Sequence, residues 1–555
     1  MARRRRGNNV VLIGYLGIEK SKIGTILAEK LNYRYLDLDQ LIELRSNLTI
    51  PQFIKRFGEG SFHVRERRIL SSLTSLRNVV LSTGSGAVFQ AANRARMRTM
   101  GKVVHLKLDP NIMVTNLDDD KYRPFVKGKT KQDILRLWKR KHNLYSFADV
   151  EVDITGRSPE AVVNEIIDKL KLTPFQLTSL PSNTITVDLD TRSYDIQLGV
   201  GIMKGLGPTL CERFPNTDTI AIITHPLVKL LYGNDVRDSL EAAGFSVDFF
   251  TIPEGEKFKR LDTAEDVYDF LMDHYFDNTG LLIALGGGMV MDITGFVALT
   301  YKRGVRWIPV PTTFMAQVDA AIGGKVSVNR RGKNILGSYY QPSLVYSDIE
   351  VLKTLPINDI KEGLVEVVKY GIVMSPELFE YVESHLTELL AGDLTSLYQL
   401  VEKSSQLKAK VVSEDEHARG VRQTLMLGHT VGYTIESVTR HRVSHGKATN
   451  LGILAATLIA YRMGFIDLDT TRRIIRLLLN IYPAGWFIKF HAEEIETHLR
   501  QHKRIKDGKI SMVLPTKIGT VIMRDDVPVK LVYEVFRDMV MLASFEDLAQ
   551  KPKES

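Results

Sequence analysis

The sequence holds one cysteine, Cys211, among 555 residues. No intramolecular disulfide can form, so a stapled extracellular scaffold is excluded and a cytoplasmic location is expected. No stretch approaches the ~20 apolar residues of a membrane-spanning helix. The start, "MARRRRGNNVVLIG", sets four arginines before a short apolar run but lacks a small-residue cleavage site, so it is expected not to be a secretory signal. Helix-turn-helix, zinc-finger and aromatic RNA-binding signatures are also missing. The net charge of +9 therefore suits anionic small substrates or a solubilising basic tail over residues 1–7. Hydrophobic residues at 44% and charged residues at 25% are an ordinary globular balance. A chain this long needs two or three cores.

Strand-like and helix-like segments alternate through the first 170 residues: "NNVVLIG", "SKIGTILAEKLN", "NVVLST", "KVVHLKLD", "PEAVVNEIIDKL". Alternation of this kind predicts a parallel sheet with helices on both faces. A segment rich in Ser, Thr and Pro at 173–184 reads as a linker. The α/β pattern then restarts, with "TIAIITH" and "GLLIALGGG" as strands and "DTAEDVYDFLMDH" as a helix between them. After about Lys353 strands are expected nearly to vanish in favour of long helices such as "LGILAATLIAYRMG".

"GYLGIEKSKIG" follows the first strand and nearly spells a phosphate-binding loop. Gly14, Lys20 and Ser21 hold their places, but Glu19 stands where the pattern has glycine. Such a loop works by aiming backbone N–H groups and a helix N-terminus at phosphates, with the lysine on the outer phosphates and the serine on Mg²⁺. Glu19 adds a side chain and a negative charge, and glycine there is expected to serve a backbone that other residues adopt only at a cost. "YLDLDQLIE" sets Asp37 and Asp39 on one face of a strand end. Two carboxylates there suit a metal and a substrate hydroxyl, or a solvated loop with Asp39 as a helix cap.

Together with "GEGSFHVRE", "STGSG", "KYRPF" and "NLYSFADVEVDI", in that order, these motifs make residues 8–172 resemble shikimate kinase. The resemblance implies Mg-ATP on Gly14, Gly17, Lys20, Ser21 and Arg123, Mg²⁺ at Ser21 and Asp37, and shikimate at Asp39, Gly84 and Gly86. Four positions depart from the family pattern: Glu19, His63 and Lys141 where arginines hold the substrate carboxylate, and Ser85 in the glycine run. Arg65 and Arg140 lie beside the two lost arginines. Lysine does not replace a bidentate arginine fork, so kinase activity is left open.

In the second half, Gly286, Gly287 and Gly288 follow an apolar strand, which suits a dinucleotide pyrophosphate or a structural turn. Asp319, Lys325, Lys333 and Asn334 lie in a glycine-rich stretch, a composition that favours ligand contact. Glu366 and Lys369 are three apart in "GLVEVVKYG" and share a helical face. Glu366 with His429 and His445 forms a plausible open Zn²⁺ set, or the histidines lie on the surface.

These stretches resemble 3-dehydroquinate synthase over residues 185 to about 540. The resemblance implies NAD on Glu256, Lys259, Gly286, Gly287, Gly288, Asp292 and Lys333, and Zn²⁺ or Co²⁺ on Glu366, His429 and His445. It implies a substrate pocket of Arg303, Asp319, Lys325, Asn334, Lys369, Lys408, Arg422 and Lys503. Departures again touch the site: Met426 for Asn, Tyr433 for His, Met291 for a Gly beside NAD, His225 for an acid at the adenosine ribose, and Lys447 for Glu.

The expected fold class is α/β, a P-loop kinase-like parallel-sheet domain followed by a synthase-like unit. That unit would comprise a Rossmann-like NAD-binding subdomain at 185–352 and a helical metal subdomain at 353–545, with a polar tail at 546–555. The expected activity is cyclisation of a phosphorylated seven-carbon sugar acid to 3-dehydroquinate in aromatic amino acid biosynthesis, by a homodimer without nucleic-acid or membrane partners. The alternatives are a cyclase for another sugar phosphate and a ligand-binding pseudoenzyme.

Overall fold

The computed structural model describes residues 8–117, 129–177, 179–439, 442–483, 499 and 505–541. The chain divides into two compact units. The first comprises Met1–Thr178 with His225–Asp238 and Lys353–Pro356, and the second comprises the rest.

The first unit is built on five parallel strands: β1 (Asn9–Ile13), β2 (Arg34–Asp37), β3 (Val79–Ser82), β4 (Gly101–Lys107) and β5 (Val150–Asp153), in the order β2-β3-β1-β4-β5. Val10, Val11, Leu12 and Ile13 are fully buried, as a central strand covered on both faces requires. β1 leads through residues 14–19 into the helix Lys20–Leu31, so the glycine loop sits at the carboxyl end of the central strand. The helix Pro159–Leu170 closes the unit, with the Ser158 side chain capping Ala161 N and Pro159 in its first turn.

The second unit has a four-stranded parallel sheet in the order β11-β10-β8-β9. Its strands are β8 (Thr219–Thr224), β9 (Ser246–Thr251), β10 (Leu281–Gly286) and β11 (Arg306–Pro311). A second sheet pairs β6 (Asn183–Val187) antiparallel and β14 (Val345–Asp348) parallel to β7 (Tyr194–Gly199). β6 begins at Asn183, inside the segment read as linker. Between the sheets in sequence lies the hairpin β12 (Lys325–Val328) and β13 (Leu336–Tyr339).

The helices Ile357–Met374, Leu394–Glu414, His429–Val438, His445–Arg462 and Leu468–Ile481 follow. Strands do not vanish there, however: β15 (Lys509–Lys517) and β16 (Thr520–Pro528) form an antiparallel hairpin. Its alternation of buried Ile510, Met512 and Leu514 is interrupted by register shifts and Pro515, which weakens the period-two signal in the sequence. Among the described residues no helix is long and apolar enough to cross a membrane.

Candidate active site

The chemistry of the second unit gathers in a cavity of about 530 Å³. Glu366 lies mid-helix in Ile357–Met374, and His429 and His445 each open a helix. The two histidine helices approach closely because Gly428 precedes His429 at φ +79°, where a Cβ would lie 2.6 Å from Ile453 Cγ1. A Cβ on Gly452 would meet the Gly428 carbonyl oxygen at 1.9 Å. Glycine is thus required on both sides of this crossing.

The ligand atoms of Glu366, His429 and His445 lie within 4.8 Å of one another. His429 Nε2 is 3.9 Å and His445 Nε2 is 3.5 Å from Glu366 Oε1. Glu366 Oε1 is buried without a hydrogen-bond donor, while Oε2 is paired with the Lys369 ammonium. His429 Nδ1 donates to the Leu427 carbonyl at 3.2 Å, and His445 Nδ1 faces Glu436 Oε1 at 2.8 Å. In the neutral rings both contacts place the proton on Nδ1 and turn the Nε2 lone pairs toward Glu366, the form that a metal would bind. This is the donor set a divalent metal needs, down to a carboxylate orienting one imidazole from behind.

Burial pushes the His429 imidazole down to about 3. Burial also works against His445, but the nearby carboxylates of Glu366 and Glu436 outweigh it and, with no metal bound, hold that ring up at about 9. Glu436 is buried too, yet its hydrogen bond to His445 and the charges of His445 and Lys333 bring its carboxyl down to about 2.

Six cations meet the same cavity: Lys259, Lys325, Lys333, Lys369, Lys408 and Arg422. Asp319 sits in a π-turn at Ala316–Ala320 and accepts from Tyr370 Oη at 2.5 Å and from the Lys408 ammonium. Lys408 also donates to the Asp319 carbonyl at 2.6 Å. Arg422 is buried and donates to the carbonyls of Gly323 at 2.8 Å and Glu416 at 2.5 Å. Lys325 lines the cavity, and desolvation by its surroundings, then the charges of Arg422 and Lys408, draw its ammonium down to about 8. Six cations against the lining carboxylates Glu256, Asp292 and Asp319 leave an excess positive charge, which suits a substrate with more than one anionic group.

The strand–glycine–helix junction lies at the other side of the cavity. Gly287 caps the 13-residue helix Gly288–Thr300, and Gly288, Met289 and Asp292 line the cavity. A Cβ on Gly286 would meet Val290 at 2.6 Å and one on Gly287 would meet Thr313 at 3.1 Å, whereas one on Gly288 would have only ordinary contact with Ala320 at 3.4 Å. Buried Lys259 pairs with Asp292 at 2.5 Å and donates to Asn334 Oδ1 at 2.6 Å. Glu256 accepts from Asn329 Nδ2 at 2.9 Å.

Of the residues expected in this site, Arg303 is an exposed residue of the turn Tyr301–Arg303 and does not line the cavity, and Lys503 lies outside the described residues. Met291 packs in the hydrophobic core with Val290 and Val297 rather than in the cavity wall. His225 caps its own short turn, accepting from Val228 N. Met426 and Tyr433 do line the cavity, with the Tyr433 ring edge-on to His429 at 5.0 Å. Lys333 lines it too, but its ammonium is 2.5 Å from Glu436. Sequence reasoning passed over Glu436 and Tyr370. The signals were the seven-residue spacing of His429 and Glu436, two turns on one helix face, and the adjacency of Tyr370 to Lys369.

The glycine loop of the first unit is formed but differently supported. Gly17 has φ +74° and a Cβ there would lie 2.9 Å from the Met113 carbonyl oxygen. Glu19 has φ −72°, so the expected need for glycine's conformational freedom at that position does not arise, and what remains is its exposed carboxylate at the helix N-terminus. Lys20 is buried and donates to the carbonyls of Gly14 at 3.3 Å and Tyr15 at 3.2 Å.

Asp37, not Asp39, is the helix cap: its Oδ1 accepts from Asp39 N and Gln40 N. The two carboxylates therefore straddle a strand–helix junction rather than share a strand face. Asp39 lies against Gly84, where a Cβ would be 2.6 Å from its Oδ1, and His63 lies beside Gly86. His63 faces Glu66 at 3.6 Å and Glu59 at 3.5 Å, and the hydrogen bond to Glu66 raises its pKa. Arg65 donates to the Arg45 carbonyl at 2.7 Å. The Lys141 ammonium stands 3.8 Å from the centre of the Phe89 ring, and Ser85 accepts through its carbonyl from Tyr145. Arg123 lies outside the described residues.

Comparison with known proteins agrees with this division. Residues 16–171 match the shikimate kinase family model. Residues 249–362 and 363–505 match the N-terminal and C-terminal models of 3-dehydroquinate synthase. The chain is 40% identical over 345 residues to a 3-dehydroquinate synthase of Pelotomaculum thermopropionicum, covering 62% of this chain and 93% of that protein. It is 39% identical over 339 residues to one of Geotalea uraniireducens, covering 61% and 94%. In fold it is similar to the 2-epi-5-epi-valiolone synthase ValA of Streptomyces hygroscopicus, solved with NAD⁺ and Zn²⁺ bound. That likeness has a TM-score of 0.59 at 22% identity and covers 66% of this chain and 99% of that one.

Proposed function

Because the chain belongs to the 3-dehydroquinate synthase family, we propose that its second unit converts a phosphorylated seven-carbon sugar acid into 3-dehydroquinate and inorganic phosphate. The observation that carries the proposal is the meeting of a Glu–His–His donor set with a cavity lined by six cations, beside a glycine-capped helix N-terminus.

Glu366, His429 and His445 would hold Zn²⁺ or Co²⁺. Gly286, Gly287 and Gly288 with the helix behind them, Asp292, Lys259, Glu256 and Lys333 would hold NAD. When bound, the dinucleotide supplies a reversible hydride acceptor and the metal a Lewis acid for the alcohol being oxidised. The protein's own share is placement and charge. Lys325, Lys408 and Arg422 hold the phosphate and carboxylate, and Asp319, fixed by Tyr370 and Lys408, meets substrate hydroxyls beside Lys369 and Asn334. In the elimination a C–H bond breaks, its electron pair forming the new C=C bond and its proton passing to a phosphate oxygen of the substrate, as the C–O bond on the neighbouring carbon breaks. Phosphate leaves with the C–O electron pair, and the cations stabilise the charge that it takes up. Lys503 completes the proposed substrate set, from which Arg303, exposed away from this cavity, is left out.

The proposal includes a cytoplasmic homodimer formed through the second unit, to be checked by sedimentation. For the first unit we propose a shikimate kinase-type site, Asp37 and Ser21 toward Mg²⁺ and Asp39, Gly84 and Gly86 toward substrate, whose ATP binding is weakened by Glu19.

A second reading, a cyclase for another phosphorylated sugar, draws support from Met426 and Tyr433 in the cavity wall. Phosphate release from a panel of sugar phosphates, by protein loaded with NAD⁺ and Co²⁺, tests both. Release from the seven-carbon acid alone supports the proposal, release from another sugar supports the second reading, and release from none contradicts cyclase function.

A further inference from the structure

Residues Asn329–Asn334 join β12 to β13 and are tied down on two sides. Toward the Gly288–Thr300 helix, Asn334 accepts from Lys259, which pairs with Asp292 on that helix, and Asn329 donates to Glu256. Toward the metal donors, Lys333 reaches Glu436 Oε2 at 2.5 Å while Glu436 Oε1 faces His445 Nδ1 at 2.8 Å. The Glu436 side chain is 4% exposed, so its two partners are held with little competition from water. Within the turn, Arg331 and Asn334 adopt left-handed backbone conformations, at φ +55° and +56°. Such conformations persist only where surrounding ties over-determine them.

We infer that this turn and the metal donors form one coupled element, joined through Lys333 and Glu436. Lys333 then acts as a positioning residue for His445, and binding of the dinucleotide beside the turn strengthens the hold on the metal. The inference rests on the proposed function, since it presumes a metal on Glu366, His429 and His445. The physical route is short. Lys333 fixes the Glu436 carboxylate, Glu436 fixes the Nδ1–H tautomer and ring plane of His445, and an imidazole so oriented presents Nε2. A ligand that favours the ordered turn favours this arrangement, and by linkage the metal favours that ligand by the same factor.

The test is Co²⁺ affinity of the full chain, measured by competition with a chromophoric chelator, with and without saturating NAD⁺. Lys333→Met is expected to weaken Co²⁺ roughly 10–100-fold, as Glu436→Gln does, with the double variant little worse than either. Lys333→Arg is expected to restore most of the affinity and the visible spectrum of four-coordinate Co²⁺, which a merely structural effect would not do. In the wild type NAD⁺ tightens Co²⁺ several-fold, Co²⁺ tightens NAD⁺ equally, and both effects disappear in Lys333→Met. Wild-type Co²⁺ affinity in Lys333→Met, or an undiminished NAD⁺ effect there, overturns the inference while leaving the proposed function standing. Absence of Co²⁺ binding by the wild type overturns both.

Discussion

The two units differ in how many cations they bring to one place. In the second, six cations, among them Lys325, Lys369, Lys408 and Arg422, converge on one cavity lined by three carboxylates, Glu256, Asp292 and Asp319. In the first, Lys20 bonds to carbonyls of its own loop, Arg65 to the Arg45 carbonyl, and Lys141 stands over the Phe89 ring. One site is electrostatically prepared for an anionic ligand. Both units spend part of their cationic capacity on carbonyls of the fold, through Lys408 and Arg422 as through Lys20 and Arg65, but the first also sets the exposed Glu19 at its helix N-terminus. Families that match both units therefore do not imply equal activity in both.

The sharpest way to break this comparison is to remove a metal ligand. His445→Ala is expected to abolish stoichiometric metal binding and to lower cyclase kcat/KM by at least ~10³-fold, about 4 kcal/mol. ATP affinity of the first unit should not change. Elemental analysis and calorimetry on the same preparation check both halves of the statement.

A restoration sharpens it further. Met426 lines the cavity where the family pattern has a hydrogen-bonding Asn. If the substrate is the seven-carbon acid, Met426→Asn is expected to raise kcat/KM about tenfold, within the ~1–3 kcal/mol that an unpaired buried polar group costs. A fall instead would favour another sugar phosphate.

In the first unit, Glu19→Gly is expected to tighten Mg-ATP about tenfold, roughly 1.4 kcal/mol. The gain should shrink with added salt because Glu19 is exposed. Shikimate phosphorylation should recover less, since His63 and Lys141 remain in place of arginines. Calorimetric titration at two salt concentrations checks this.

The smallest effect concerns Lys325, whose pKa is drawn down to about 8 by burial and by Arg422 and Lys408. The ammonium is charged below that pH and neutral above it, so affinity for an anionic substrate is expected to fall as pH rises through about 8. Lys325→Arg should move the fall to higher pH, as a KM profile would reveal.

Much of this contrast was legible in the sequence. The strand–glycine–helix junctions at Gly14 and Gly286 are signalled by short apolar runs ending in glycine, and local patterning suffices to place them. Glu366 and Lys369 declared their shared face through a spacing of three. Three things were not legible. The backbone of Glu19 needed its φ in the folded chain, because a motif records which residue is usual and not why. The cap at Asp37 rather than Asp39 turned on where the strand ended, a one- or two-residue question that propensity does not resolve. Glu436 was hidden because its partners, Lys333 and His445, come from a distant turn and another helix, and only the fold brings them together. The β15–β16 hairpin escaped notice because its register shifts break the alternation by which strands are read.

The central claim is that the second unit holds a complete catalytic site and the first an impaired one. The most direct test gives one preparation, loaded with Co²⁺, NAD⁺ and Mg-ATP, the phosphorylated seven-carbon acid in one assay and shikimate in another. The account predicts phosphate release from the first at least roughly a hundredfold faster than phosphorylation of the second, about 2.7 kcal/mol in barrier. Phosphorylation of shikimate as fast as, or faster than, phosphate release would contradict it.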